Sequence, residues 1–451
     1  MKILSLQMEN FKNIKNSKID FKNNLSGIYG PNGTGKTAVI EAIDVIRLYF
    51  NSLKSKEQSE ELKNKIAKLI NIDSNTMFLE IIFTNEDFQY KLKLGFQKDR
   101  LNSENIYVTN EEFLYREIVK KSVFKNIVTI DNSVETIIPQ INFKGKFNAK
   151  NNKEIEEILK SKEISLKSLY FEFDKLNSLF SLVYEQIKKV EKEKLNSEIN
   201  LFMTHWEKIK TTIMTMFVVT LKEQALYNLE ILLPLKAHTE NAHGTLPINF
   251  GKNRGNIYEE KIVQDLEKVI EQIGDIFSVI IPDSKLILEK KDDRIENESK
   301  KIAVSLYVEK NGNKICVENE STGIIKLISL LSALVYYVQD ERAIVLIDEL
   351  DIHIFEYLLA IMLEKLSKYA KGQLIFTAHN LLPLEKLNRN SIIISTIEKE
   401  RTAYVYFKGT SGTTNLRQKY LRSQTLWSES NISPLLLNEY ALELYLRKLV
   451  K

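Results

Sequence analysis

The chain has 451 residues, 43% hydrophobic and 27% charged, with a single cysteine and a formal net charge of +4. That length and apolar content supply a large core and more than one subdomain, and they exclude a disordered chain. The lone Cys316 excludes an internal disulfide and a multi-cysteine zinc site, which suits a reducing cytoplasm, and so small a net charge permits a nucleic-acid contact without requiring one.

Met1-Lys2-Ile3-Leu4 runs straight into alternating residues, with no leader pattern ahead of the first strand. Leu4, Leu6 and Met8 alternate with polar residues, and Ile19 and Phe21 do so again, which predicts two short strands. Leu25 to Tyr29 reads as a third strand. It leads into Gly30-Pro31-Asn32-Gly33-Thr34-Gly35-Lys36-Thr37, after which Ala38-Val39-Ile40 opens a helical pattern. Strand, glycine loop and helix in that order are the setting of a phosphate-binding loop. Gly30, Asn32, Gly33 and Gly35 would turn backbone N–H groups around phosphates, and the helix opening at Gly35 aims its positive end at them. Lys36 would reach the β- and γ-phosphates, and Thr37 would place its hydroxyl on Mg²⁺. The chain is therefore expected to bind a nucleoside triphosphate. Lys12, just after Phe11, is either a cation near that nucleotide or a solvent-facing lysine.

Strand patterns at Met77 to Phe83 and Phe88 to Leu94, with a turn at Thr84 to Asp87, put antiparallel pairing beside the loop and predict a mixed sheet. Leu166, Leu169, Phe173, Leu176, Phe180, Val183, Ile187 and Val190 then follow heptad spacing in a stretch rich in charge and free of proline. One reading is a helix whose seam packs on the globular body. The other is a projecting arm that pairs with a second helix over Ile199 to Leu221 and meets a partner. His238 and His243 stand in a segment containing Pro, Asn and Gly and read as loop residues rather than metal ligands. The expected division is residues 1–150, an N-terminal lobe with the glycine loop; 151–245, a helical insertion; and 246–451, a C-terminal lobe.

In that last part Ser321-Thr322-Gly323 precedes an apolar helical stretch, Gly323 to Val338, which carries Lys326 and is expected to be too short to span a bilayer. Ser321 suits an N-cap, and Gly323 allows close backbone approach, so this helix end is a plain cap or a second anion site. Ala343 to Ile347 is an aliphatic run suited to a buried parallel strand, and it ends in Asp348-Glu349. Asp348 would hold Mg²⁺ and Glu349 would orient or polarise an attacking water, the two tasks that phosphoryl transfer needs. Gln373 to Thr377 is a further strand that delivers His379, and alone that histidine reads as structural. The tail carries a leucine-rich helical pattern at Leu435 to Leu449.

The order of these motifs resembles the ABC-type ATPase head shared by the SMC and recombination-repair ATPases. The resemblance implies an α/β P-loop fold with mixed β-sheet lobes and, here, a short coiled-coil-like insertion. It makes Gly30 to Thr37 the Walker A loop, Val345 to Asp348 Walker B, Glu349 the catalytic glutamate, Ser321 to Gly323 the signature, Asp351 the D-loop residue and His379 the switch histidine. Glu320-Ser321-Thr322-Gly323 departs from the usual serine-glycine signature. It is closer, with Asp348-Glu349-Leu350-Asp351, to the bacterial AAA-type, OLD-like ATPases. The likeness covers the first lobe loosely and residues 318–425 more closely, does not cover the helical middle, and leaves the family's Q-loop glutamine unplaced.

The resemblance further implies ATP and Mg²⁺ as cofactors and a homodimer, or a larger oligomer, in which the signature of one head completes the nucleotide site of another. A TOPRIM nuclease is not expected, because no further Glu and Asp-x-Asp set follows His379. Two roles remain open: a cytoplasmic sensor ATPase of bacterial antiphage, abortive-infection defence acting with a separate effector, and a DNA-repair or chromosome-associated ATPase that grips duplex DNA. Lys408, Arg417, Lys419 and Arg422 keep the DNA role open. Intact Glu349 argues against a non-hydrolysing scaffold, and a membrane-transporter subunit is not favoured, because the head is interrupted by a long insertion.

Overall fold

The structure, a computed structural model, describes residues 1–51, 56–99, 105–119, 122–131, 140–142, 176, 178–189, 197–229, 231–239, 243–250, 256–296, 299–398, 401–407, 415–423, 443 and 446. The chain opens on β1 (Lys2–Phe11) and β2 (Ile14–Asp20), then β3 (Leu25–Tyr29), the glycine loop and α1 (Lys36–Phe50). After α2 (Lys56–Leu69) come β4 (Thr76–Thr84), β5 (Phe88–Lys98), β6 (Ile106–Glu117), β7 (Lys125–Asp131) and β8 (Gln140–Asn142). Two helices, α3 (Leu179–Ile187) and α4 (Ser197–Met214), lead to β9 (Phe217–Val219) and α5 (Leu221–Asn228). The hairpin β10 (Leu232–His238) and β11 (His243–Asn249) precedes β12 (Ile257–Glu259), α6 (Glu260–Ile280), β13 (Ser284–Glu296), β14 (Ser299–Lys310) and β15 (Asn313–Cys316). The rest alternates: α7 (Thr322–Gln339), β16 (Ile344–Ile347), α8 (Glu356–Tyr369), β17 (Gln373–Thr377), α9 (Pro383–Lys386), β18 (Ile392–Glu398), β19 (Arg401–Val405) and α10 (Leu416–Ser423).

A six-stranded central sheet, order β19-β18-β3-β17-β16-β9, organises the fold. Its strands from β18 to β9 run parallel and β19 closes one edge antiparallel. β3, β16 and β17 are buried along their whole lengths, as parallel strands covered on both faces must be. Their side chains alternate between two cores with the period of a strand. Ile28, Ile344, Leu346, Ile375 and Ile393 face the core that contains α1, whereas Tyr29, Val345, Ile347, Leu374, Phe376 and Ile394 face the core that contains α7. A second, antiparallel sheet of seven strands, order β2-β1-β4-β5-β6-β7-β8, covers the first core, so the mixed architecture expected from the strand patterns is present.

The middle of the chain packs onto the body where it is described. Phe180, Val183, Tyr184 and Ile187 of α3 and Ile199, Phe202, Trp206, Ile209 and Ile213 of α4 are all buried in the first core. The Trp206 ring meets Phe50, Phe113 and Phe180 edge-on at centroid distances of 5.2, 5.3 and 5.5 Å, a geometry that suits aromatic quadrupoles. Leu166, Leu169, Phe173 and Val190 of the heptad pattern lie outside the described residues. So do Lys408 and the tail pattern Leu435 to Leu449, apart from Glu443 and Leu446.

Three expectations need correction. The second helix does not run to Leu221: α4 stops at Met214, and Phe217-Val218-Val219 becomes a strand beside β16 because that apolar, β-branched run finds a buried parallel partner. The central sheet therefore takes β3, β9 and β16 from all three expected segments. His238 and His243 are paired strand ends rather than loop residues, their Nδ1 atoms 2.7 Å apart and the His243 ring stacked on Phe217. Finally, α7 has 18 residues, long and apolar enough to cross a membrane by length and composition, but 72% of it is buried and it serves as the central helix of the second core.

Candidate nucleotide site

The glycine loop leaves β3 through Gly30, whose φ is +154° and whose missing side chain matters: a Cβ there would stand 2.3 Å from the Ser395 carbonyl oxygen. Side chains behind the loop hold its carbonyls. Asn13 Nδ2 donates to the Gly33 oxygen at 2.7 Å, Tyr404 donates to the Gly35 oxygen at 2.8 Å, and the Ser395 hydroxyl donates to the Thr34 oxygen. Carbonyls tied back in this way are what an anion-binding nest of amides needs. Gly35, in the left-handed region at φ 93°, stands at the N-cap of α1. No side-chain cap and no acidic residue occupy that first turn, so the helix's positive end is left for a ligand.

Lys36 is buried, and its Nζ folds back onto the carbonyls of Gly30 at 2.8 Å and Pro31 at 3.0 Å. Burial lowers its ammonium pKa, while the carboxylates of Glu349, Asp348 and Asp351 work against that shift. Thr37 Oγ1 donates to Asp348 Oδ1 at 3.2 Å, and Thr377 Oγ1, at the end of β17, donates to the same oxygen at 2.5 Å. Burial raises the Asp348 pKa; these two hydroxyls pull it down, and the Glu349 charge pushes it further up. Among the described residues no cluster of three His, Cys, Asp or Glu could hold a metal alone. The Thr37 hydroxyl and Asp348 carboxylate instead supply two hard oxygen donors, the number Mg²⁺ takes from a protein when phosphates and water complete its octahedron.

Glu349 and His379 line the same cleft as the loop, Lys36 and Thr37, and its volume is about 1030 Å³. Lys12 also lines it, with its ammonium paired to Glu41, so it is a cleft-wall cation rather than a free surface lysine. Asn32, Gly33 and Gly35 complete that wall, and Asn13, Lys15, Lys68 and Ile70 to Asp73 extend the cleft beyond it. Asp351 is placed otherwise. Its Oδ2 accepts the backbone N–H groups of His379 at 2.8 Å and Asn380 at 2.6 Å, so it fixes the histidine loop and does not line the cleft. Ser321 and Gly323 are also outside it. Ser321 is exposed and caps α7 by accepting from Ile324 N at 3.4 Å, while Gly323 packs on the His353 carbonyl.

Sequence reasoning passed over three side chains. Thr377 joins Asp348 to the Glu349 backbone, Lys326 donates to the Glu349 carbonyl at 3.0 Å, and Gln224 Nε2 donates to the Asp348 carbonyl. A glutamine thus reaches the carboxyl end of β16, from the helix that follows β9. The only signals for these residues were their positions just before His379, one turn into α7 and just after β9.

Two family models match the chain: "AAA domain" over residues 5–211, and "AAA domain, putative AbiEii toxin, Type IV TA system" over residues 228–385. Both models describe AAA domains, so these two stretches of the chain are similar to AAA-type ATPases. The chain is similar to the DNA replication and repair protein RecF of Leptospira biflexa, 26% identical over 113 residues that make up 25% of this chain. RecF of Francisella tularensis subsp. novicida is 32% identical over 112 residues, 25% of this chain. The chain spans only 28% of the length of these relatives. Among solved structures, an SMC head domain with an extended coiled coil bound to the C-terminal domain of ScpA, derived from Pyrococcus furiosus, covers 93% of this chain and 98% of its own, at 13% identity and a TM-score of 0.42.

Lys36→Ala should keep the fold but abolish any rise in melting temperature that ATP produces in the parent, because the loop's one buried cation is gone. Gly30→Ala should weaken ATP binding as well, since the loop must move off the Ser395 carbonyl. Thermal denaturation with and without ATP checks both, and an undiminished ATP shift in Lys36→Ala contradicts the loop assignment.

Proposed function

We propose that this ATPase head is a switch that binds ATP with Mg²⁺, closes against a second copy of itself, and reopens when hydrolysis removes the γ-phosphate. One observation carries the reading. Lys36, Thr37, Asp348, Glu349 and His379 converge within one chain, whereas the Ser321 to Gly323 helix end stands exposed and outside that chain's own cleft. A helix N-terminus is an anion site, and the one at Ser321, exposed although capped by that serine's own hydroxyl, would meet the nucleotide of another head.

The assigned chemistry follows from the donors present. Lys36 and the loop amides neutralise the phosphates; Thr37 and Asp348 would hold Mg²⁺, which when bound offsets charge on the phosphate oxygens. Glu349 would polarise the attacking water, and His379, which lines the same cleft, would stand beside the reacting phosphate. Phosphoryl transfer of this kind is a matter of positioning and charge neutralisation, which these groups supply.

For the output, we favour a regulatory ATPase of antiphage defence in the cytoplasm, acting with a separate effector and with no membrane partner. The Glu320 to Gly323 wording and the AbiEii description of the second family model support this. The similarity to RecF supports the second reading, a head that works on duplex DNA. Of the basic residues named for that role, Arg417 is paired with Glu385 at 3.3 Å.

Glu349→Gln should retain ATP and accumulate as a dimer, seen by light scattering under saturating ATP and Mg²⁺; a monomer there sinks the switch. Steady-state hydrolysis should be indifferent to duplex DNA at low salt. Stimulation that fades as salt rises would move the assignment to the DNA reading.

A further inference from the structure

Glu349 adopts a backbone conformation that few side chains tolerate. Its φ is +48°, in the left-handed region, where a residue with a Cβ is held only if its surroundings over-determine it. Those surroundings are specific. Thr377, fully buried on β17, accepts the Glu349 N–H at 2.8 Å on the same hydroxyl that donates to Asp348 Oδ1 at 2.5 Å. The Thr377 carbonyl accepts from Leu350 N at 3.0 Å, so the turn is held on both sides of the glutamate. On the other side Lys326, 3% exposed, donates from Nζ to the Glu349 carbonyl at 3.0 Å. Burying an ammonium is costly, and its pKa is pushed down to about 8 despite the pull of Asp351 and Glu349. An apolar side chain would fill the space among the core residues of α7 without that cost.

We infer that Thr377 and Lys326 are positioning residues that hold the Glu349 backbone in its reactive conformation, and that Lys326 links that conformation to the Ser321 to Gly323 helix end. Lys326 sits on the first turns of α7, the helix that Ser321 caps, so a shift of that helix end moves the group that grips the glutamate. Engagement of Ser321 and Gly323 by a second head's nucleotide is thereby felt at Glu349 of the same chain, and the two nucleotide sites of a closed pair become coupled. This rests on the proposed function, because it takes Glu349 as the group that acts on water.

The test uses the full chain and compares Thr377→Val, Thr377→Ser, Lys326→Met and Glu349→Gln in steady-state hydrolysis and ATP binding. Thr377→Val keeps the shape and loses the hydroxyl, so kcat should fall roughly ten- to a hundredfold while ATP affinity stays within about twofold. Thr377→Ser should restore most of the rate, and Lys326→Met should lower kcat with ATP affinity kept. A purely structural role would instead lower melting temperature and ATP affinity together and would not respond to serine. Thr377→Val and Lys326→Met with parental kcat, beside an inactive Glu349→Gln, overturn this inference alone. Glu349→Gln with parental turnover overturns the proposed function and this inference together.

Discussion

A buried carboxylate fixes the design of this fold. Asp348 is almost wholly removed from solvent at the end of β16, and two hydroxyls from different parts of the chain, Thr37 and Thr377, donate to one of its oxygens. A charge in that position must be hydrogen-bonded or matched by a cation. The hydroxyls can reach it only because β17 lies between β3 and β16, so that the C-terminal ends of three parallel strands bring the glycine loop, Thr377 and Asp348 to one edge. Changing the strand order would leave the same residues present and the site absent. The buried, continuous aliphatic strands are thus what position the chemistry, in addition to filling the core.

Much of the site was legible in the sequence because its parts are local. A glycine loop between strand and helix, and an aliphatic run ending in Asp348-Glu349, carry their meaning in a few consecutive residues, and the β1, β4 and β5 strands showed in plain alternation. What was not legible depends on residues far apart in the chain. Thr377 is paired with Asp348 across neighbouring strands, Gln224 reaches it from the far side of β16, and Lys326 comes from a helix whose local pattern is only apolar. The strand β9 was missed for the opposite reason. Phe217-Val218-Val219 is short enough to read as the end of the preceding helix, and only the open edge of β16 makes it a strand. The Asp351 carboxylate binds two amides of the loop that carries His379, a contact no spacing rule reveals.

The same geometry explains why a single chain is half of the proposed machine. The glycine loop, Lys36, Thr37, Glu349 and His379 line one cleft, with Asp348 bonded to Thr37 beside it, but the exposed serine of the α7 helix end lies outside it. In the proposed switch, nucleotide would shift the population toward closed pairs only through contacts present in the closed state and missing in the open one. A helix end that meets a γ-phosphate held by another head is such a contact. The left-handed Glu349, gripped by Thr377 and by Lys326 of that same helix, then places the consequence of closure at the residue assigned to act on water.

The most direct measurement of this account is the rate of ATP hydrolysis per chain as a function of chain concentration, at saturating ATP and Mg²⁺. If the site is completed by a second head, the specific rate rises with concentration from near zero and levels off as pairs saturate. A specific rate that stays constant down to concentrations at which light scattering sees only monomer would contradict it, because one chain would then suffice.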